Sequence, residues 1–178
     1  NIFKYLYYKI FNMSQNIKGL SGLANLGNTC YINTCMQILS HTTILNKVLD
    51  NLDYGSLIEN HKDSDNIKQF DIVILNEWNN LRLLLWKNNC TISPNRWIST
   101  VQQISRQKDL ELFSGFIQND VTEFLLFILD CFHNAMAREV EMSLEGEVKN
   151  NLDILANKCL KAHSDFFKSN YSEIIKSF

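Results

Sequence analysis

NLGNTCYINTCMQ, residues 25–37, places two cysteines five residues apart in a run of small and amide side chains, with Gly27 just upstream. Three readings compete for it: a fragment of a metal site, half of a disulfide framework, or the front of a helix whose cysteine is a nucleophile. The helix reading has local support. Asn28 or Thr29 suits a cap, and CYINTCMQILS continues the helix. On that helix Ile32, Cys35, Met36 and Leu39 recur at spacings of three and four and form one apolar stripe, whereas Cys30 falls with Thr34 and Gln37 on a polar face. Cys35 therefore reads as a small core hydrophobe. Cys30 falls in the first turn, where unpaired backbone N–H groups and the positive helix end stabilise a thiolate. On spacing alone, an inert cysteine at a helix start fits Cys30 better.

Bulk properties exclude several classes. A chain of 178 residues suits one domain and buries roughly 70% of its unfolded surface. Its hydrophobic fraction of 46%, charged fraction of 20% and net charge of -2 are those of an ordinary globular protein, with no nucleic-acid or membrane partner implied. The five cysteines are odd in number, scattered and without a CxxC pair. That argues against a disulfide scaffold or zinc knuckle and for a reducing compartment, cytoplasm or nucleus. No apolar run reaches transmembrane length. The opening NIFKYLYYKIFNM is aromatic but interrupted by Lys4 and Lys9, and reads as an amphipathic extension over residues 1–17. The chain starts at Asn1 while Met13-Ser14 would make a natural start, which points to a piece of something longer.

Periodicity predicts a mainly helical chain. From 67 to 88, Phe70, Ile74, Trp78, Leu81 and Leu85 mark one face. Ser93 as cap and Pro94 at the first helical position predict another helix. Between 120 and 142 the inward residues are expected to be Val121, Leu125, Ile128 and Phe132; between 152 and 168, Leu155, Cys159, Ala162 and Phe166. Residues 50–66 read as a polar surface loop. No hairpin is expected.

Two segments then change the weight on Cys30. GLANLGNTCYINTCMQ, Gly22–Gln37, resembles the cysteine box of the ubiquitin-specific proteases, papain-like thiol hydrolases, through Gly27, Asn28, Thr29, Cys30, Tyr31 and Asn33. QNDVTEFLLFILDCFH, Gln118–His133, resembles that family's downstream box. The resemblance spans about 18–178 and implies a partial catalytic domain, the helical thumb half of the fold, with the β-rich palm and fingers outside it. Thr34, Asn119 and Thr122 depart from the family's usual residues.

The resemblance implies roles. Cys30 would attack the carbonyl after the terminal glycine of ubiquitin and form a thioester. Asn25 would help hold the oxyanion, a kind of donor whose loss typically costs ~2.7–4 kcal/mol of barrier. Gly22 and Gly27 would give the loop positive φ or a close approach to substrate. Gln118, Asp120 and Glu123 would bind substrate, the two acids gripping the arginine-bearing ubiquitin tail; Asp120 and Glu123 also read as a capping box. The partner implied is ubiquitin or a ubiquitinated protein. No cofactor or metal is called for, because the finger zinc ligands would lie past Phe178. His41, His61, His133 and His163 lack the strand context of the family's catalytic histidine, so none is nominated, and the 178 residues alone are expected to be inactive. The alternative is a non-catalytic ubiquitin-binding pseudo-protease.

Overall fold

The computed structural model describes residues 18–62, 66–141, 143, 146 and 148–177; the amphipathic extension 1–17 and Met142 lie outside them. The order is β1 (Gly22–Leu23), α1 (Cys30–Ser40), α2 (Thr43–Asp50), α3 (Tyr54–Asn60), α4 (Asn66–Lys87), β2 (Thr91–Ile92), α5 (Asn95–Gln107), a 3₁₀ turn (Glu111–Phe113), α6 (Val121–Met136), α7 (Asn151–Asn170) and α8 (Glu173–Ser177). The fold is mainly α. No helix among the described residues is long and apolar enough to cross a membrane.

The core forms where α4 lies against α5 and α6, and α6 in turn against α1 and α8. Trp78 of α4 is at its centre, 6.0 Å from the Trp97 ring and 6.5 Å from that of Phe132. Burial of such rings supplies the largest apolar contributions per residue. The stripe read for α1 is buried throughout: Ile32, Cys35, Met36 and Leu39. On α4, Ile74, Trp78, Leu81 and Leu85 are buried and Phe70 is packed against them. That helix also buries polar residues which periodicity did not suggest. Arg82 reaches Asp50 at 2.6 Å and Asn79 at 2.8 and 3.1 Å, and Asp71 pairs with Lys108.

Several expectations are corrected. Residues 50–66 are not all loop: α3 occupies 54–60 because Asp53 caps it, its carboxylate accepting from the N–H groups of Gly55 and Ser56, while Leu57 packs on the core. Pro94, not Ser93, is the residue before α5; its carbonyl accepts the first helical bond, from Ile98 N–H at 3.0 Å. α6 ends at Met136; of its four expected inward residues Ile128 and Phe132 are fully buried and Leu125 packs against the core, while Val121 departs and the buried face is wider than expected. Phe124, Phe127, Ile128, Cys131, Phe132 and Ala135 are buried, whereas Val121 is 36% exposed. The run FLLFIL offers more than one apolar stripe, and the one that meets Trp78 and Tyr31 is the one used. On α7 the expected inward residues are exposed, Leu155 at 58% and Phe166 at 57%, with Cys159 and Ala162 likewise. The helix touches the body mainly near its end, through Ser164 and a bond from Val140 N–H to the Lys168 carbonyl.

The described residues hold one small sheet. β1 and β2 pair in parallel, Gly22 opposite Thr91 and Leu23 opposite Ile92. The segment entering β1 is further fixed by Ser21, whose hydroxyl lies 2.7 Å from the carbonyls of both Leu85 and Asn88. This sheet places the Asn25 loop at the head of α1.

Candidate functional site

Cys30 is the first residue of α1 and is exposed. The first-turn N–H groups of a helix have no intrahelical acceptor, and here the side chain at the cap position gives them none. Thr29 occupies the cap position with φ −97° and ψ 14°, but its hydroxyl turns away from the helix. It donates to Asn25 Oδ1 at 3.0 Å and accepts from Leu26 N–H at 3.0 Å. The sequence reading of Asn28 or Thr29 as a side-chain cap is thereby corrected.

Asn25 is fixed by what reaches its oxygen. Gly27 N–H at 3.2 Å, Thr29 N–H at 3.1 Å and the Thr29 hydroxyl all donate to Oδ1. A peptide N–H bonds only to an acceptor, so these contacts settle which carboxamide atom is oxygen. The NH₂ group makes no hydrogen bond among the described residues and, on an exposed residue, is left as a donor. The turn that permits this geometry uses positive φ at Gly27 (+100°) and Asn28 (+51°), where glycine has no steric cost and asparagine a tolerable one. Gly22, expected to supply such a conformation, is instead in β1; the other nearby positive φ belongs to Gly19 (+84°). A Cβ on Gly19 would come within 2.9 Å of the Trp86 ring.

A row of polar residues missed by the sequence reading holds this loop. Asn33 and Gln37 on α1 and His41 at its C-cap recur every four residues and donate in turn to the carbonyls of Ala24 (3.1 Å), Ser21 (2.8 Å) and Gly19 (3.0 Å). The incoming segment thus runs back along the helix with its carbonyls pinned rung by rung. The spacing 33–37–41 was the available signal, but nothing local shows that its partners are backbone carbonyls.

The second box meets the first across 88 residues. Asn28 donates to the Phe116 carbonyl at 3.0 Å, and Asn119 lies 3.3 Å from the Tyr31 hydroxyl while also donating to Leu112 at 2.6 Å and Ile117 at 3.0 Å. The Cys35 thiol donates to the Val121 carbonyl at 3.3 Å, and the Tyr31 and Phe124 rings meet edge to face at 5.3 Å. These bonds mount the start of α6 beside α1. Asp120 caps α6, accepting from Thr122 N–H at 2.7 Å and Glu123 N–H at 3.1 Å. The return bond of a capping box, from the Asp120 N–H to Glu123, is not formed among the described residues, so that reading is half corrected. Gln118, Asp120 and Glu123 are all exposed.

Electrostatics separates the thiols. Burial, with the charge of Asp120 adding to it, pushes the Cys35 thiol up to about 11, and burial likewise raises Cys131. Native-state treatment with iodoacetamide is therefore expected to modify Cys30, Cys90 and Cys159 and to spare Cys35 and Cys131, read by peptide mass spectrometry. The cap bonds from Glu123 and Thr122 hold the Asp120 carboxyl below its ordinary range. Because the folded value is depressed, its contribution is present above the unfolded aspartate value of about 3.9 and lost as pH falls through the folded one. Asp120→Asn is thus expected to lower the thermal midpoint at pH 7 and to match the unmodified protein at pH 2.

The histidines are engaged elsewhere. His41 is in the polar row, His61 bonds the Leu57 carbonyl at 2.8 Å, His133 bonds the Ser172 hydroxyl at 2.7 Å, and His163 packs edge-on against Phe167 at 4.4 Å. Among the described residues no group of three His, Cys, Asp or Glu is gathered as a metal site.

A family model described as ubiquitin carboxyl-terminal hydrolase matches residues 21–177. Ubiquitin carboxyl-terminal hydrolase Usp2 of Drosophila melanogaster is 33% identical over 156 residues, covering 84% of this chain and 14% of that protein. Ubiquitin carboxyl-terminal hydrolase 2 of Bos taurus is 31% identical over 129 residues, covering 71% and 20% respectively. Ubiquitin carboxyl-terminal hydrolase 12 of Saccharomyces cerevisiae is 29% identical over 145 residues, covering 75% and 10%. The chain spans a fifth or less of the length of these relatives. The matched region begins at the strand segment that feeds the Asn25 loop and ends on α8, and on that match the chain belongs to the ubiquitin carboxyl-terminal hydrolase family.

Proposed function

We propose that the protein is a thiol-dependent deubiquitinase that cleaves the bond after the C-terminal glycine of ubiquitin, with residues 18–178 serving as the thumb of its catalytic domain. Cys30 sulfur attacks the glycine carbonyl carbon, and the carbonyl electron pair moves to oxygen. Collapse of that tetrahedral species expels the amine of the conjugated lysine and leaves a thioester, which water then hydrolyses to free the carboxylate and the thiol. The Asn25 NH₂ is a donor to the transient oxyanion, with a backbone N–H at the head of α1 as the second. Gln118, Asp120 and Glu123 form the edge that receives the basic ubiquitin tail; charge-assisted bonds from arginine to the two carboxylates give direction as well as affinity. The proton acceptor for Cys30 is read as lying outside these residues, since the resemblance sets the catalytic histidine in a strand segment and none of the four histidines lies in one.

The observation that carries this reading is an exposed cysteine at an uncapped helix start, beside a carboxamide whose oxygen is saturated and whose NH₂ is available. Purified full-length protein should release a fluorophore from a C-terminal ubiquitin amide, and Cys30→Ser should abolish that release. Turnover that survives Cys30→Ser would refute the assignment.

A further inference from the structure

A threonine before a helix ordinarily gives its hydroxyl to the free N–H groups of the first turn. Thr29 does not. The residue is 2% exposed, and its hydroxyl closes a ring with the loop: it donates to Asn25 Oδ1 and accepts from Leu26 N–H, both at 3.0 Å. Of the three donors on that oxygen, the other two are backbone N–H groups. Among the described residues the hydroxyl is thus the one side-chain contact on the carboxamide oxygen, and it is made at the expense of capping α1.

We infer that Thr29 is a positioning residue for the Asn25 amide, acting on the oxyanion donor and not on Cys30. The inference rests on the function proposed above. An amide dipole stabilises developing charge only where it is already aimed, and small misplacements are costly. With the hydroxyl removed, Asn25 keeps two backbone donors but gains freedom about its terminal torsion, and Leu26 N–H loses its acceptor. Valine is the sharpest replacement, because it preserves shape in a buried position and deletes both bonds; serine preserves both.

The test compares kcat and KM of full-length wild-type, Thr29→Ser, Thr29→Val, Asn25→Ala and the Thr29→Val/Asn25→Ala protein on a fluorogenic ubiquitin amide. The Thr29→Val protein is expected to lose about 10- to 100-fold in kcat with KM within about twofold, the serine protein to stay within about threefold of wild type, and the valine change to add less than about twofold once Asn25 is alanine. The rate of Cys30 alkylation by iodoacetamide is expected to be the same in all of them. Wild-type kcat in Thr29→Val, a loss that adds fully to that of Asn25→Ala, or a parallel fall in alkylation rate would each assign Thr29 a merely structural role and overturn the inference. If Thr29→Val does not fold, as judged by its melting curve, Thr29→Ala carries the same comparison. Absence of Cys30-dependent turnover in the wild type would instead overturn the proposed function, and this inference with it.

Discussion

Asn25→Ala is expected to lower kcat of the full-length protein by about 10²–10³-fold while leaving KM nearly unchanged, the signature of an interaction made only in the transition state. The geometry allows a sharper variant. Asn25 Oδ1 accepts three bonds that hold the turn between β1 and α1, so alanine removes the loop's anchor together with the donor. Asn25→Asp keeps an oxygen for all three bonds and replaces only the NH₂ with a second, negatively charged oxygen. It is expected to retain the thermal midpoint of the wild type and to lose at least as much kcat as alanine, because it sets charge against charge at the oxyanion. Steady-state kinetics on a fluorogenic ubiquitin amide, with melting curves for both variants, separates the two roles. An aspartate variant whose kcat stays within about threefold of wild type would remove Asn25 from the catalytic machinery.

The second large effect is on stability. Lys108→Met is expected to cost about 3–5 kcal/mol, because it leaves a buried carboxylate without its counter-charge. Asp71 on α4 is fully buried and pairs with Lys108, which follows α5 and also approaches the Cys131 sulfur of α6 at 3.7 Å. One ammonium thus ties three helices, against a carboxylate with no exposed surface. The double variant Asp71→Asn/Lys108→Met is expected to recover most of the deficit, since it removes the charge along with its partner. Burial pushes the Asp71 carboxyl up, opposed by its bond to Lys108. Without the lysine the carboxyl rises further, so the folded state takes up a proton more readily than the unfolded one. The deficit of Lys108→Met is therefore greatest at neutral pH and shrinks as pH falls, which urea unfolding at pH 7 and pH 5 measures. A Lys108→Met protein with an unchanged urea midpoint would show that the pair is not buried as described.

How much of this was legible in the sequence depended on whether a residue's partner was local. The inward stripe of α1 and the exposure of Cys30 follow from helical spacing within eleven residues, and Asp120 announces its cap by chemistry alone. The polar row Asn33–Gln37–His41 was equally regular, yet its meaning depends on a segment that becomes a strand only by pairing with Thr91–Ile92, far along the chain. Two-residue strands carry no periodicity. α7 shows the opposite failure. Leu155, Cys159, Ala162 and Phe166 do share a face, but periodicity reveals which face is apolar and not whether anything lies against it. In α6 the apolar run was too rich to choose a face until Trp78 and Tyr31 supplied the partners. At the site, resemblance pointed to Asn25 and Cys30, while the role of Thr29 emerged only from which oxygen its hydroxyl meets.

Incubating the full-length protein with ubiquitin carrying a C-terminal electrophile, then mapping the adduct by peptide mass spectrometry, examines the proposed nucleophile at the level of a single bond. One covalent ubiquitin is expected, on Cys30, and none on the likewise exposed Cys90 and Cys159, because the oxyanion donor and tail-binding edge of the proposed function are assigned to Cys30. An adduct on either of those other cysteines, or one that persists in Cys30→Ser, would contradict it.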